Sequence, residues 1–216
     1  MAELLTVSPD SPDSRCIAHA SELIRRGEVV VIPTDTFYGL AADPFNLMAV
    51  ARVYDIKGRP ERKALPILVA SIEQAQDLAA DLPDPFFPLA ERYWPGALTI
   101  VLNATRRLPL KVTGNTGRVA LRMPDSKVPA AVIAAVGSPV TGTSANLSGF
   151  AACVSAPQVV KQLGDRVPLI LDGGESKARL ASTVVELRAD DDWVILREGP
   201  ISEADLRAAI EGEPPE

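Results

Sequence analysis

Five segments carry residues whose types and spacing could do chemistry. The most basic is Lys57-Gly58-Arg59-Pro60-Glu61-Arg62-Lys63, with four cations in seven residues. Cations neutralise phosphate, and Gly and Pro fix the backbone that presents them, so the run reads as an anion cradle. A cation cluster answering the dipole of a preceding helix is the alternative. It accounts for Lys57 but less well for a run that continues past Pro60, and the phosphate site is the favoured reading. Arg118 and Arg122 flank the apolar stretch Val119-Ala120-Leu121. Four apart on a strand, they share a face, and each guanidinium could take a carboxylate or phosphate bidentately; salt-bridged edge residues would look the same. Pro33-Thr34-Asp35-Thr36-Phe37-Tyr38-Gly39-Leu40 follows an apolar strand and places hydroxyls at a sheet end, or it is an ordinary turn. Thr141-Gly142-Thr143-Ser144-Ala145-Asn146-Leu147-Ser148-Gly149 is the densest polar run. Its small residues let backbone N–H groups approach a ligand, and a polar loop remains the alternative. No Lys follows the glycine, so it is not a P-loop, and the spacing is not that of a nucleophile elbow. Ser182 and Arg197 stand at the ends of two further apolar strands.

The remaining composition excludes several chemistries. His19 is the single histidine, which excludes a metal site built on several histidines and argues against a Ser–His–Asp triad. No metal-ligating set is assigned. A net charge of −6 is wrong for a bulk polyanion binder, although convergent cations can still make a local anion site. Cys16 and Cys153 read as free thiols in a reducing cytoplasm. Met1 to Asp13 lacks the pattern of a secretory signal, and no apolar run is long enough to span a bilayer. The 216 residues fit one domain, 1–210, with a frayed acidic tail at 211–216.

The elements that must position these segments follow from periodicity and caps. Helices are expected from Ser14 through Arg26, over Asn46–Ile56, from Ser71 through Ala80, and over Pro85–Tyr93, Pro129–Val136, Ala156–Leu163 and Glu203–Ile210. Ser14 and Ser202 are the expected caps of the first and last. Ser71 with Gln74, and Ser155 with Gln158, have capping-box spacing. Strands are expected at Val29–Ile32, Leu65–Val69, Ala97–Leu102, Val119–Arg122, Val140–Thr143, Leu169–Asp172, Ser182–Leu187 and Val194–Arg197. The order is not regular βαβ, which argues an α+β fold with a mixed sheet.

Taken with Lys63-Ala64-Leu65-Pro66, Trp94-Pro95-Gly96-Ala97-Leu98-Thr99, Ser182–Leu187 and Leu196–Pro200, these segments appear in an order that resembles the YrdC-like L-threonylcarbamoyladenylate synthases, in their short single-domain form. The resemblance implies a twisted open α/β sheet with flanking helices and a large concave cleft. It implies that L-threonine, bicarbonate and ATP give threonylcarbamoyl-AMP and pyrophosphate, with Mg²⁺ accompanying ATP. The product would pass to a transferase complex for N6-threonylcarbamoyladenosine modification of tRNA, in the cytoplasm and without a membrane. Carried over by position, Lys57 and Arg59 are the catalytic cations. Thr34, Thr36, Arg122, Ser144 and Ser182 bind threonine; Lys57, Arg59, Lys63, Arg118, Asn146 and Arg197 bind the nucleotide. Ser182 is expected at the threonine end and Arg197 at the nucleotide end. The chain departs from the pattern at Phe37, Arg118 and Ser126 and over Phe150–Ala156, where no residue is singled out. The alternatives are an RNA-binding module, with a tRNA contact of its own, or a diverged paralogue with a changed or lost substrate.

Overall fold

A computed structural model describes residues 2–188 and 192–212 of the chain. Of the expected tail, 213–216 lie outside the described residues. The order is β1 (Glu3–Thr6), α1 (Ser14–Arg25), β2 (Val30–Ile32), β3 (Gly39–Ala41), α2 (Leu47–Lys57), β4 (Ile67–Leu68), α3 (Ile72–Leu78), α4 (Phe86–Tyr93) and β5 (Leu98–Asn103). It continues with β6 (Arg118–Arg122), α5 (Lys127–Val136), β7 (Val140–Thr141), β8 (Thr143–Ser144), α6 (Ala156–Leu163), β9 (Leu169–Asp172), β10 (Thr183–Leu187), β11 (Trp193–Arg197) and α7 (Glu203–Ile210). Among the described residues no helix is long and apolar enough to cross a membrane.

The strands are mixed, as expected, but they form two sheets rather than one. One runs β1-β9-β2-β3-β8, the other β11-β10-β5-β6-β4-β7. Gly142 is where the chain changes sheet. It splits the strand expected over Val140–Thr143 into β7 of one sheet and β8 of the other. A Cβ there would lie 2.4 Å from Cγ of Leu68 and 2.5 Å from its Cδ2, so only glycine fits this crossing without displacing the Leu68 side chain.

Alternation along the first sheet sets two cores. Val30, Ile32, Leu169 and Leu171 pack with Ile17, Ala20 and Ile24 of α1 and Val128, Val132 and Ile133 of α5. Val31 and Ile170 point the opposite way, into the larger core with Val50, Phe86, Leu89, Leu98, Ile100 and Leu121. Caps follow the side chains that can reach. Asp13, not Ser14, caps α1 by accepting from the Arg15 N–H at 2.7 Å. Ser202 and Asp205 form a full capping box on α7. Ser155 makes no capping bond; Gln158 instead accepts from the Val154 N–H at 2.9 Å.

Candidate active site

The loop joining β2 to β3 is shaped by its own hydroxyls. Thr34 Oγ1 donates to the Phe37 carbonyl at 2.8 Å and accepts from the Thr36 N–H at 3.1 Å. From β6, Arg122 reaches into this loop. Its Nη2 lies 2.7 Å from Asp35 Oδ2, its Nη1 donates to Thr36 Oγ1 at 2.6 Å, and its Nε donates to the Gly96 carbonyl at 2.9 Å. Thr36 and Arg122 are both buried. Register brings the next members alongside. Thr99 on β5 sits opposite Val184 on β10, which sits opposite Arg197 on β11. Thr99 and Ser182 share a hydroxyl–hydroxyl bond of 2.7 Å, and Arg197 Nη2 donates to the Ser182 carbonyl at 2.8 Å and its Oγ at 3.0 Å.

A second cluster hangs on the end of α2. Lys57 is the last helical residue, and Gly58 ends the helix in the left-handed conformation at φ 56°. Lys57 is 3% exposed, and its Nζ donates to the Ser144 carbonyl, to the Asn146 carbonyl at 2.9 Å and to Asn146 Oδ1 at 3.4 Å. Ser144 Oγ also donates to Asn146 Oδ1, while Asn146 Nδ2 donates to the Leu147 and Phe150 carbonyls. Arg59 turns over β8, with Nη1 on Thr143 Oγ1 at 3.2 Å and Nη2 on the Ala64 carbonyl at 2.9 Å. Its Nε is buried without a partner.

Both clusters line one cavity of about 330 Å³, which Phe37, Phe150, Ala152 and Val184 also border. Its charge is unbalanced. Burial lowers the pKa of Arg59. It lowers that of Arg122 as well, with Asp35 opposing the shift. Arg197 stands at the exposed rim with Nε and Nη2 turned in onto Ser182; partial burial, then the charge of Arg122, lowers its pKa too. Lys57 is pushed down to about 8, first by burial and then by Arg59. Among the described residues no carboxylate borders the cavity, and Asp35 already serves Arg122. Several cations each held below their ordinary pKa around a hollow are relieved together by an anion.

Residues 22–199 match the family model Sua5/YciO/YrdC, described as "Telomere recombination". The chain belongs to the Sua5/YciO/YrdC family. It is 40% identical over 195 residues to a protein of Bacillus subtilis named threonylcarbamoyl-AMP synthase, covering 90% of this chain and 56% of that one. It is 38% identical over 193 residues to the Pyrococcus abyssi protein of the same name, covering 88% and 56%. The chain thus spans somewhat over half the length of these two relatives. The crystal structure of P. abyssi Sua5 complexed with L-threonine superposes with a TM-score of 0.92 at 34% identity, over 97% of this chain and 61% of that one. E. coli YciO superposes with a TM-score of 0.84 at 27% identity, over 93% and 97%.

Within this member of the family, the cavity gathers Thr34, Thr36, Arg59, Arg122, Ser144, Asn146, Ser182 and Arg197. Three residues expected at the site do not border it. Lys57 lies beneath, spent on the Ser144–Asn146 turn. Lys63 is exposed on the surface, where the Tyr54 hydroxyl holds its carbonyl at 2.9 Å. Arg118 does share the face of β6 with Arg122, but four residues along a strand is about 13 Å. There it pairs with Glu186, Nε to Oε1 at 3.2 Å, and with Asn103. Ser182 and Arg197, expected at the threonine and nucleotide ends, bond directly to each other. Sequence reasoning passed over Thr99, Thr143, Asp35 and Phe150. Thr143 lies within the polar run it had marked, and Asp35 between two hydroxyl residues it had chosen. Phe150 opens the stretch Phe150–Ala156, where the chain departs from the family pattern and no residue is singled out.

Proposed function

We propose that this chain makes threonylcarbamoyl-AMP from L-threonine, bicarbonate and ATP with release of pyrophosphate, and that the product feeds a transferase complex that modifies adenosine in tRNA. The observation that carries the reading is the single hollow in which Arg59, Arg122 and Arg197 meet the hydroxyls of Thr36, Ser144 and Ser182. The names of the B. subtilis and P. abyssi relatives, and the threonine held by P. abyssi Sua5, support it.

The chemistry brings anions together. Threonine's ammonium and bicarbonate give a carbamate, a water and a proton. A carbamate oxygen then attacks the α-phosphorus of ATP, the bond from that phosphorus to the bridging oxygen breaks, and pyrophosphate leaves. Such a transfer needs positioning and charge stabilisation more than a histidine base. His19 accordingly plays no part in this reading: it lies on α1, with Nε2 2.9 Å from Glu3 Oε2. Arg122 spends three of its five N–H donors within the protein. In our reading the other two meet the threonine carboxylate beside Thr36 and Ser182. Arg59, with its unpartnered Nε, takes phosphate on the cavity wall formed by the Ser144–Asn146 turn. Lys57 acts through those two residues, holding their carbonyls. The oxygens lining the cavity are hydroxyls, an amide and carbonyls, which do not make a resident Mg²⁺ cage. Mg²⁺ in this reading arrives on the ATP phosphates and keeps its water.

The test is pyrophosphate release by the purified chain. Release should require threonine and bicarbonate together, and serine should substitute poorly, since one methyl group in a fitted pocket is worth about 1–3 kcal/mol. Release that ignores threonine would remove the reading.

A further inference from the structure

The geometry points to Phe150 as the platform on which the nucleobase of the substrate stacks. The proposal rests on the nucleotide reading above and assigns the part of the cavity that meets the base.

Phe150 borders the cavity yet is 65% exposed. Two other phenylalanines stand out on the surface, Phe45 at 38% and Phe87 at 40%, and Phe87 already packs edge-on to Phe86 with centroids 5.2 Å apart. No aromatic contact is made by Phe150 among the described residues. Its chain neighbours are Gly149 and Ala151, and Ala152 follows, so local sequence gives the ring little to lie against. An exposed aromatic face at the mouth of a polar hollow is unfavourable in water and is relieved by a flat apolar ligand.

The backbone beneath the ring is fixed. The Phe150 N–H donates to the Leu147 carbonyl at 3.0 Å, and its carbonyl accepts from Asn146 Nδ2 at 2.8 Å. Gly149 turns the chain at φ 88°, a conformation open to glycine. The same Asn146 is gripped by Lys57 and faces the hollow. The ring is therefore mounted on the Ser144–Asn146 turn, which shares the cavity wall with Arg59 and Thr143. A nucleotide whose phosphates meet Arg59 and Ser144 has its base at this rim. A threonine methyl is too small to cover such a face; a purine is not. Stacking of a base on an aromatic side chain is worth about 1–3 kcal/mol.

The experiment titrates the wild-type chain, Phe150→Ala, Phe150→Leu and Phe150→Tyr with AMP, ATP and inorganic tripolyphosphate by calorimetry. A thermal melt of each variant accompanies the titrations. Phe150→Ala should weaken AMP and ATP by about ten-fold, which is about 1.4 kcal/mol. It should leave tripolyphosphate within about two-fold, because that anion has no base to stack. Phe150→Tyr should bind AMP as wild type does, and Phe150→Leu should fall between, since it offers apolar area without a flat π face. Equal AMP affinity in wild type and Phe150→Ala would overturn the platform while leaving the nucleotide reading standing. Loss of tripolyphosphate in step with AMP would overturn it as well, by showing damage to the phosphate cluster. A wild-type chain that binds neither AMP nor ATP would overturn the nucleotide reading and the platform with it.

Discussion

Arg122→Ala is the perturbation whose size the structure fixes best. The guanidinium holds three bonds at once, to Gly96, Thr36 and Asp35. Its own side chain is 8% exposed and that of Asp35 is 16%. Asp35 Oδ1 is buried and has no partner even with Arg122 in place. Removal of the guanidinium leaves a largely buried carboxylate without its ion-pair partner. Breaking a buried pair from one side typically costs about 3–5 kcal/mol. The whole folding free energy of a domain is about 5–15 kcal/mol, so the loss should be plain in a urea titration at neutral pH. The double variant Asp35→Asn with Arg122→Ala should be more stable than Arg122→Ala alone, because a neutral amide tolerates the site better than a stranded carboxylate. In turnover assays at low temperature the threonine requirement should rise far more than the ATP requirement. A loss under about 1 kcal/mol, or no recovery in the double variant, would refute the buried-pair argument. An equal rise for threonine and ATP would refute the assignment of Arg122 to the amino-acid end.

Three further outcomes follow from particular contacts. Lys57 has its pKa pushed down to about 8 from 10.5, so below about pH 8 the fold carries the full burden of burying its charge. Between those values the unfolded chain binds more protons, and stability rises with pH. The stability of wild type minus that of Lys57→Met should therefore increase by about 1–2 kcal/mol from pH 7.5 to 9.5; a flat difference would contradict the burial argument. Gly142→Ala places a Cβ against the Leu68 side chain and should lower the urea midpoint by an amount equivalent to about 1–3 kcal/mol, with Leu68→Ala giving some of it back. No change on Gly142→Ala would mean that the sheet crossing is looser than the packing indicates. Ser202→Ala removes the α7 capping box and should cost about 1 kcal/mol by the same titration, whereas Ser155→Ala, which loses no capping bond at α6, should cost less.

Where local chemistry decides an element, the sequence was enough to read it. The bounds of α6, α7 and β9 are as expected because a polar cap or a turn meets an apolar period at each end. β1 was not visible: Glu3–Thr6 has little apolar pattern, and its partner β9 lies more than 160 residues away, so only tertiary pairing makes it a strand. β3 hid inside a segment read as a turn. The chain changes sheet at Gly142, which packs closely against Leu68, a contact that no local pattern encodes. The site was legible in type but not in direction. The basic run from Lys57 to Lys63 was identified as cationic, yet Lys57 closes α2 on its buried face, whereas beyond the left-handed turn at Gly58 the chain leaves Lys63 on the surface. Arg118 and Arg122 share a face, as alternation demands, but strand length carries one of them to a different partner. Asp35 looked like a turn residue because its significance comes from an arginine on another sheet.

The most direct measurement is a crystal structure of the chain with L-threonine and a non-hydrolysable ATP analogue together. Both should lie in the one hollow, the amino acid against Thr36, Arg122 and Ser182 and the phosphates against Arg59, Ser144 and Asn146. Either ligand bound instead in the neighbouring cavity bordered by Asp125, Lys127 and Lys177 would contradict it.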